Sequence, residues 1–389
     1  MGGAEPYSPT EWRDALIQSK PKIMIVTSAT GGGHISLAYS LQDMLARDYD
    51  TCIVDPHPHF VHQYYTWAGR HSLKFWGATY KYSDNEKSAL RLHRVLTQLV
   101  RKQLRAFIEQ MQPHLIITTH TLISYEIAQV CKRLGKNIPL VFQLSELECV
   151  HSTWLTLKDA SAYLVPTREI LAQARARGID ESRLHLSGFP VRRQFLCDYS
   201  AQRAEMLSSL GLDPTAFTIF LQGGAEGAAG LEDTVKAMLA AQEASKAVQI
   251  LLAVGTNKPL AERFSGISHI KIVPFTREIA PYMAAADIIS GKAGPNFLTE
   301  AVMLGKPFLA TGFIPGQEQP NLAFLQRHNL GWVCLERPAQ QALVAKLVSD
   351  PSHMVETLTS VQAYRAWNEQ ANLRTHSVIE GLLGICNPA

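Results

Sequence analysis

Apolar residues along this chain come in short runs separated by stretches of helical spacing. KIMIVTSA (22–29) is the first run, and ISLAYSLQDMLA (35–46) follows it with apolar positions three and four apart. TCIVD (51–55), HLIITTH (114–120), PLVFQL (139–144) and AYLVP (162–166) continue the series, with helical stretches between most of them. Strands that alternate with helices predict a parallel sheet covered on both faces. GFPVRRQFL (188–196) reads as a crossover, and the pattern then restarts. FTIFLQ (217–222), VQILLAV (248–254), IKIVP (270–274), DIIS (287–290) and KPFLA (306–310) form the second series. The expectation is an α/β chain with two doubly wound, Rossmann-like domains, 1–195 and 200–360, and a helical tail over 361–389 that packs on either domain. Such sheets bind ligands at the carboxyl ends of their strands, so two of them facing each other predict an interdomain cleft.

One segment breaks the rhythm. Residues 57–84 are dense in aromatics and histidine and poor in period, and a long helical pattern runs from Glu86 to Gln112. On a helical wheel, Arg91, Arg94, Arg101, Lys102 and Arg105 fall within an arc of roughly 100°. Leu92, Val95, Leu96, Leu99 and Phe107 take the other side. A basic face beside an aromatic loop suits an anionic membrane surface, and a plain solvated face is the alternative.

Composition narrows the function classes. Hydrophobic content of 46% with 18% charged residues is that of a globular protein. A net charge of +3 excludes a general nucleic-acid binder, which needs many phosphate contacts. The six cysteines include no C-x-x-C pair, so neither a disulfide framework nor a zinc knuckle is indicated. MGGAEPYSPTEW has no apolar core of a signal peptide, and no uncharged run reaches the length of a membrane-spanning helix. His57, His59 and His62 with Asp55 have metal-like spacing, but no fourth-ligand motif accompanies them, and a metal site is not expected.

Chemistry concentrates in three places. Two Gly-rich turns follow strands, ATGGGH (29–34) and LQGGAEGAAG (221–230). Neither has the spacing of a dinucleotide fingerprint or a P-loop, so only their general property remains: glycines let backbone amides approach a ligand at a helix N-terminus. The third place is SGKAGPNFLTEAVMLGKPFLATGFIPGQEQPNLAFL (290–325). A helix starting near Pro295 carries Glu300 in its second turn, where a carboxylate can accept from two vicinal hydroxyls of a ribose. Gln317, Glu318 and Asn321 then offer the polar groups a sugar needs; the alternative is a polar turn with a helix cap.

Together these motifs resemble the family 28 glycosyltransferases of the two-domain GT-B fold, most of all monogalactosyldiacylglycerol synthases and processive diacylglycerol glucosyltransferases. GGGH (31–34), SELECVHSTW (145–154), GFPVRRQF (188–195), QGGAEG (222–227), KAGP (292–295) with Glu300, and PGQEQPN (315–321) carry the resemblance, in the family's order. It implies transfer of a hexose from UDP-glucose or UDP-galactose to a lipid acceptor such as diacylglycerol. The UDP-sugar is the co-substrate, with no further cofactor. The enzyme would be cytoplasmic and peripheral on the inner membrane leaflet.

By this resemblance the second domain holds the donor. Gly223 and Gly224 lie against the diphosphate, with Lys292, Gly294, Pro295 and Asn296 at the neighbouring helix start. Glu300 takes the ribose, Phe275 sits beside the uracil, and Gly316, Gln317, Glu318 and Asn321 form the hexose loop. The first domain receives the acceptor around Gly32, Gly33, His120, His151 and Trp154. His120 also fits a satisfied core histidine, and Trp154 also fits core packing. His34 is the expected base, because an unperturbed imidazole pKa of about 6.5 leaves the ring neutral at working pH; a helix-capping role is its alternative. Glu146 shares the work as base or as orienter.

Two stretches depart from the family pattern. Glu146 stands where an aspartate is common, and Asn296 and Phe297 replace a glycine and a threonine at the donor helix. The rival readings are N-acetylglucosaminyl transfer to another lipid-linked acceptor, a UDP-sugar 2-epimerase, and a non-catalytic nucleotide or lipid binder.

Overall fold

The computed structural model describes residues 20–28, 32–58, 80–222, 230–241 and 248–385, with the backbone alone at 92 and 94–98. The strands are β1 (Lys22–Val26), β2 (Asp50–Val54), β3 (Leu115–Thr118), β4 (Leu140–Gln143), β5 (Ala162–Val165), β6 (Leu184–Leu186), β7 (Phe217–Gln222), β8 (Val248–Ala253), β9 (Ile270–Val273), β10 (Ile288–Lys292), β11 (Phe308–Gly312) and β12 (Gly331–Val333). They form two six-stranded sheets, in the orders β2-β1-β3-β4-β5-β6 and β12-β11-β10-β7-β8-β9. All the pairings are parallel.

Between and after the strands run α1 (Gly32–Leu45), α2 (Glu86–Met111), α3 (Thr121–Arg133), α4 (Arg168–Ala176), α5 (Arg203–Ser209), α6 (Leu231–Leu239), α7 (Lys258–Phe264), α8 (Ala280–Ala284), α9 (Pro295–Met303), α10 (Pro320–Arg327), α11 (Arg337–Ser349) and α12 (Val355–Leu383). Local chemistry sets several of their starts. The side chains of Asn85, Thr167 and Asn257 accept from backbone amides in the first turns of α2, α4 and α7. Proline is the first residue of α9 and α10 and the second of α11, where a missing N–H costs no hydrogen bond.

The apolar runs bury both of their faces, as parallel strands covered by helices must. In the first sheet, Met24, Val26, Ile116, Phe142 and Tyr163 face one core. Ile23, Ile25, Leu115, Ile117, Val141 and Leu164 face the other. Two strands lie outside the apolar runs of the sequence. β6 and β12 are three-residue edge strands, LHL and GWV, that pair on one side only.

α2 covers the first sheet with Ala89, His93, Val100, Leu104 and Ile108, all buried. This seam corrects the helical-wheel assignment: Leu99, expected on the buried side, is 43% exposed. On the basic arc, Arg91, Lys102 and Arg105 are exposed. Arg101 instead bridges to the buried Glu126 of α3, which Arg133 also reaches at 3.3 Å. The side chain of Arg94 lies outside the described residues.

Candidate active site

Topology places the site before any side chain is considered. The strand order reverses between β1 and β3 in the first sheet and between β7 and β10 in the second. At such switch points the loops leave in opposite directions and open a crevice. The turn leading to His34 follows β1, and Thr119 and His120 follow β3. On the second sheet, QGGAEG follows β7 and KAGPN follows β10. Gly223 and Gly224 themselves, expected at the diphosphate, lie outside the described residues, as does the aromatic segment 59–79 with His59 and His62.

His34 sits in the first turn of α1. Its Nδ1 is 2.8 Å from the carbonyl of Thr119. A carbonyl only accepts, so Nδ1 carries the proton and the Nε2 lone pair is the basic one. Desolvation lowers the ring's pKa below that of a free imidazole, and the bond to Thr119 offsets part of this shift. The ring is therefore neutral at pH 7. His120 packs edge-on against it, with ring centroids 4.6 Å apart, and His57 lies 5.7 Å beyond His120. Burial, and then the neighbouring His34, His57 and His93, push His120 well below the usual histidine range. His120 Nδ1 is buried without a partner. His57 pairs with Asp55 at 3.0 Å, and the described residues contain no cluster able to hold a metal ion.

Glu146 follows β4, the strand next to β3. It accepts from the Trp154 indole at 2.7 Å and from the Ser145 amide at 3.2 Å. Desolvation pushes its carboxyl up to about 7, against the pull of these donors. Trp154 is fully buried, so it orients Glu146 from below. Its expected place beside the acceptor is then one step removed, through Glu146. His151 is likewise held by protein groups. Its Nε2 donates to the Tyr80 carbonyl at 3.1 Å, and its Nδ1 accepts from Thr153, capping a turn of 3₁₀ helix.

Across the cleft, the start of α9 meets the start of α1. The Asn296 amide donates to the Gly33 carbonyl at 3.0 Å. A Cβ on Gly33 would stand 3.6 Å from Asn296 Oδ1, an ordinary contact distance, so this approach does not itself require glycine. Ser36 donates to Glu300 Oε1 at 3.3 Å, and Arg192 reaches the same oxygen at 3.4 Å. Burial lifts the Glu300 carboxyl to about 7, and Arg192 is the largest influence pulling it back. Arg192 also donates to the Arg277 carbonyl at 2.8 Å, while its Nε is buried without a partner. The motif GFPVRRQF was visible in the sequence, but the role of its first arginine was not. Only the folded chain brings it to Glu300.

The loop expected to hold the hexose is tied down at its base. Lys292 donates to Glu318 at 3.0 Å, and Glu318 Oε2 accepts from the Ile314 amide at 2.7 Å. Asn321 donates to the Ala293 carbonyl at 2.8 Å. Gly294 lies under Glu318, where a Cβ would meet Oε1 at 3.2 Å, and Gly316 takes a left-handed φ of 82°. Glu318 and Asn321 are buried, whereas Gln317 is partly exposed. Phe275, in the loop after β9, is 66% exposed.

Known proteins resemble both halves of the chain. The family model described as "Monogalactosyldiacylglycerol (MGDG) synthase" matches residues 42–191. The model "Glycosyltransferase family 28 C-terminal domain" matches residues 218–373. The chain is 27% identical over 331 residues to monogalactosyldiacylglycerol synthase 1, chloroplastic, of Arabidopsis thaliana, covering 80% of this chain and 61% of that relative. Among solved structures, a calicheamicin glycosyltransferase superposes with a TM-score of 0.61 at 14% identity, covering 95% of this chain and 100% of that one. A putative UDP-N-acetylglucosamine 2-epimerase from Listeria monocytogenes gives 0.60 at 13%, covering 95% and 98%. At these identities the superpositions establish the two-domain fold of GT-B enzymes and do not separate transferase from epimerase. The two family models do separate them, each on its own half of the molecule: residues 42–191 match the monogalactosyldiacylglycerol synthases and residues 218–373 the C-terminal domain of the family 28 glycosyltransferases.

Proposed function

We propose that the chain is an inverting hexosyltransferase that moves galactose from UDP-galactose to diacylglycerol at a membrane surface. The observation that carries the reading is His34: a neutral imidazole, with its proton fixed on Nδ1, at the switch point that meets the start of α9. The acceptor hydroxyl attacks the anomeric carbon and a new C–O bond forms. The bond from that carbon to the β-phosphate oxygen breaks, and UDP leaves with the electron pair. The hydroxyl proton passes to His34 Nε2. The N-terminus of α9 faces the charge that develops on the diphosphate. Glu300 accepts from the ribose and Phe275 lies beside the uracil. Gln317 contacts the hexose, while Glu318, held by Lys292, orients that loop. Gly32 and Gly33 leave room for the acceptor, and Glu146, oriented by Trp154, stands beside it.

Galactose and diacylglycerol are taken from the family that matches the N-terminal half. Among the described residues no helix is long and apolar enough to cross a membrane, so surface binding falls to the exposed basic arc of α2. The test offers UDP-galactose, UDP-glucose and UDP-N-acetylglucosamine to the protein with diacylglycerol vesicles and reads products by mass. Galactosyl diacylglycerol is the expected product, and epimerised nucleotide sugar without lipid product refutes the reading. His34→Ala lowers turnover by about 10²- to 10⁴-fold and leaves UDP affinity unchanged; full turnover in this variant removes His34 from the base role.

A further inference from the structure

The two domains are joined a second time, away from the switch points. Arg327 in the last turn of α10 donates to both oxygens of Glu148, at 2.8 Å each. The same guanidinium reaches Glu169 at 3.5 Å, and His328 Nε2 lies 2.8 Å from that carboxylate. Glu148 and Glu169 belong to the first domain and keep 14% and 17% of their side-chain surface exposed. A two-pronged guanidinium–carboxylate pair fixes an orientation as well as a distance, which a lysine cannot do.

Each end of this contact leads to a different part of the candidate site. Glu148 lies two residues beyond Glu146, and its carbonyl accepts from Gln173 at 2.6 Å. Gln173 also accepts from the Val150 amide at 3.1 Å, so residues 146–150 are held as one loop. At the other end, α10 begins in the hexose loop, where Glu318 holds Lys292 and Asn321 holds Ala293. An eight-residue helix is a rigid rod of about 12 Å. Its C-terminal end is fixed laterally by the His328 ring, which packs against Phe324 and Tyr364 at centroid distances of 4.4 and 5.5 Å.

We propose that α10 is a strut and Arg327 a positioning residue, which together carry donor occupancy from the hexose loop to the loop that bears Glu146. The proposal rests on the reading that the second domain holds the UDP-sugar. It assigns no contact with substrate to Arg327.

The test follows hydrogen exchange of residues 145–151 with and without saturating UDP, alongside turnover and calorimetric UDP affinity. In the unaltered protein UDP slows exchange in this loop. Arg327→Ala removes that slowing and lowers kcat about tenfold, the scale expected for a misaligned reacting geometry, while UDP affinity stays within about twofold. The charge-reversed pair Arg327→Glu with Glu148→Arg restores the UDP-dependent slowing in part, which a merely structural role would not do. Persistence of the slowing in Arg327→Ala, its absence from the unaltered protein, or no restoration in the reversed pair overturns the proposal. A protein that binds UDP and shows the slowing but makes no galactolipid refutes the functional reading alone.

Discussion

Among single residues, the Glu300 carboxyl has the clearest consequence. Glu300 is lifted to about 7 by burial and pulled back by Arg192. In the proposed role only its ionised form accepts from both ribose hydroxyls, so UDP binding would favour loss of the proton. The sign follows: UDP affinity rises from about pH 6 to about pH 8 and flattens above that. Glu300→Gln binds UDP more weakly at the alkaline end and loses this pH dependence. Arg192→Gln removes the downward pull and moves the rise to higher pH. Calorimetric titration across this range checks both, and a pH-independent affinity in the unaltered protein overturns the assignment. Glu300 was legible in the sequence because its distance from Pro295 places it in the second turn of a helix. Arg192 and Ser36 were not, since their meeting with Glu300 depends on how the domains face each other.

The departures from the family pattern are explained among the secondary-structure elements. Asn296 supplies the cross-cleft bond to Gly33. Phe297 is partly buried and packs against the core: its ring lies 6.2 Å from Phe220 and 5.3 Å from Phe308. Both roles depend on packing that one sequence does not display. The strands were legible wherever an apolar run filled an interior position. β6 and β12 were not, because a three-residue edge strand has too few positions to show a pattern. α2 was legible as an amphipathic helix, but which arginines stand free was not. Arg101 is committed to Glu126, which leaves Arg91, Lys102 and Arg105 on the exposed arc. Each basic residue near an anionic surface contributes about 1 kcal/mol, so changing these three to glutamine weakens binding to anionic vesicles about 100-fold. Arg105 also pairs with Glu109 at 3.0 Å, an exposed pair of small worth. Co-sedimentation with phosphatidylglycerol vesicles measures the effect, and unchanged binding removes α2 from the membrane face.

For the molecule as a whole, α12 decides how the domains are held. Its first half packs with the core of the second domain through Val361, and its far end enters the core of the first through Val378 and Ile379. Between these contacts it grips the crossover segment. Asn368, fully buried, accepts from the Phe189 amide at 2.7 Å and donates to the Phe189 carbonyl at 3.0 Å. Gly188 precedes that phenylalanine at a φ of 69°, and a Cβ there would stand 2.7 Å from Asn368 Oδ1. The asparagine thus does for an irregular backbone what a strand partner does for a regular one. Asn368→Ala leaves a buried amide unpaired and weakens the carbonyl's bonding, at a cost of about 2–4 kcal/mol. Asn372, 3.4 Å from the same carbonyl, recovers a small part. Because the lost bonds join the crossover to the strap spanning both cores, the cost falls on the coupling between domains. The unaltered protein therefore melts in one calorimetric transition. Asn368→Ala separates this into two, and only the transition of the second domain rises when UDP is added. A single transition in the variant, at an unchanged temperature, refutes the role given to α12.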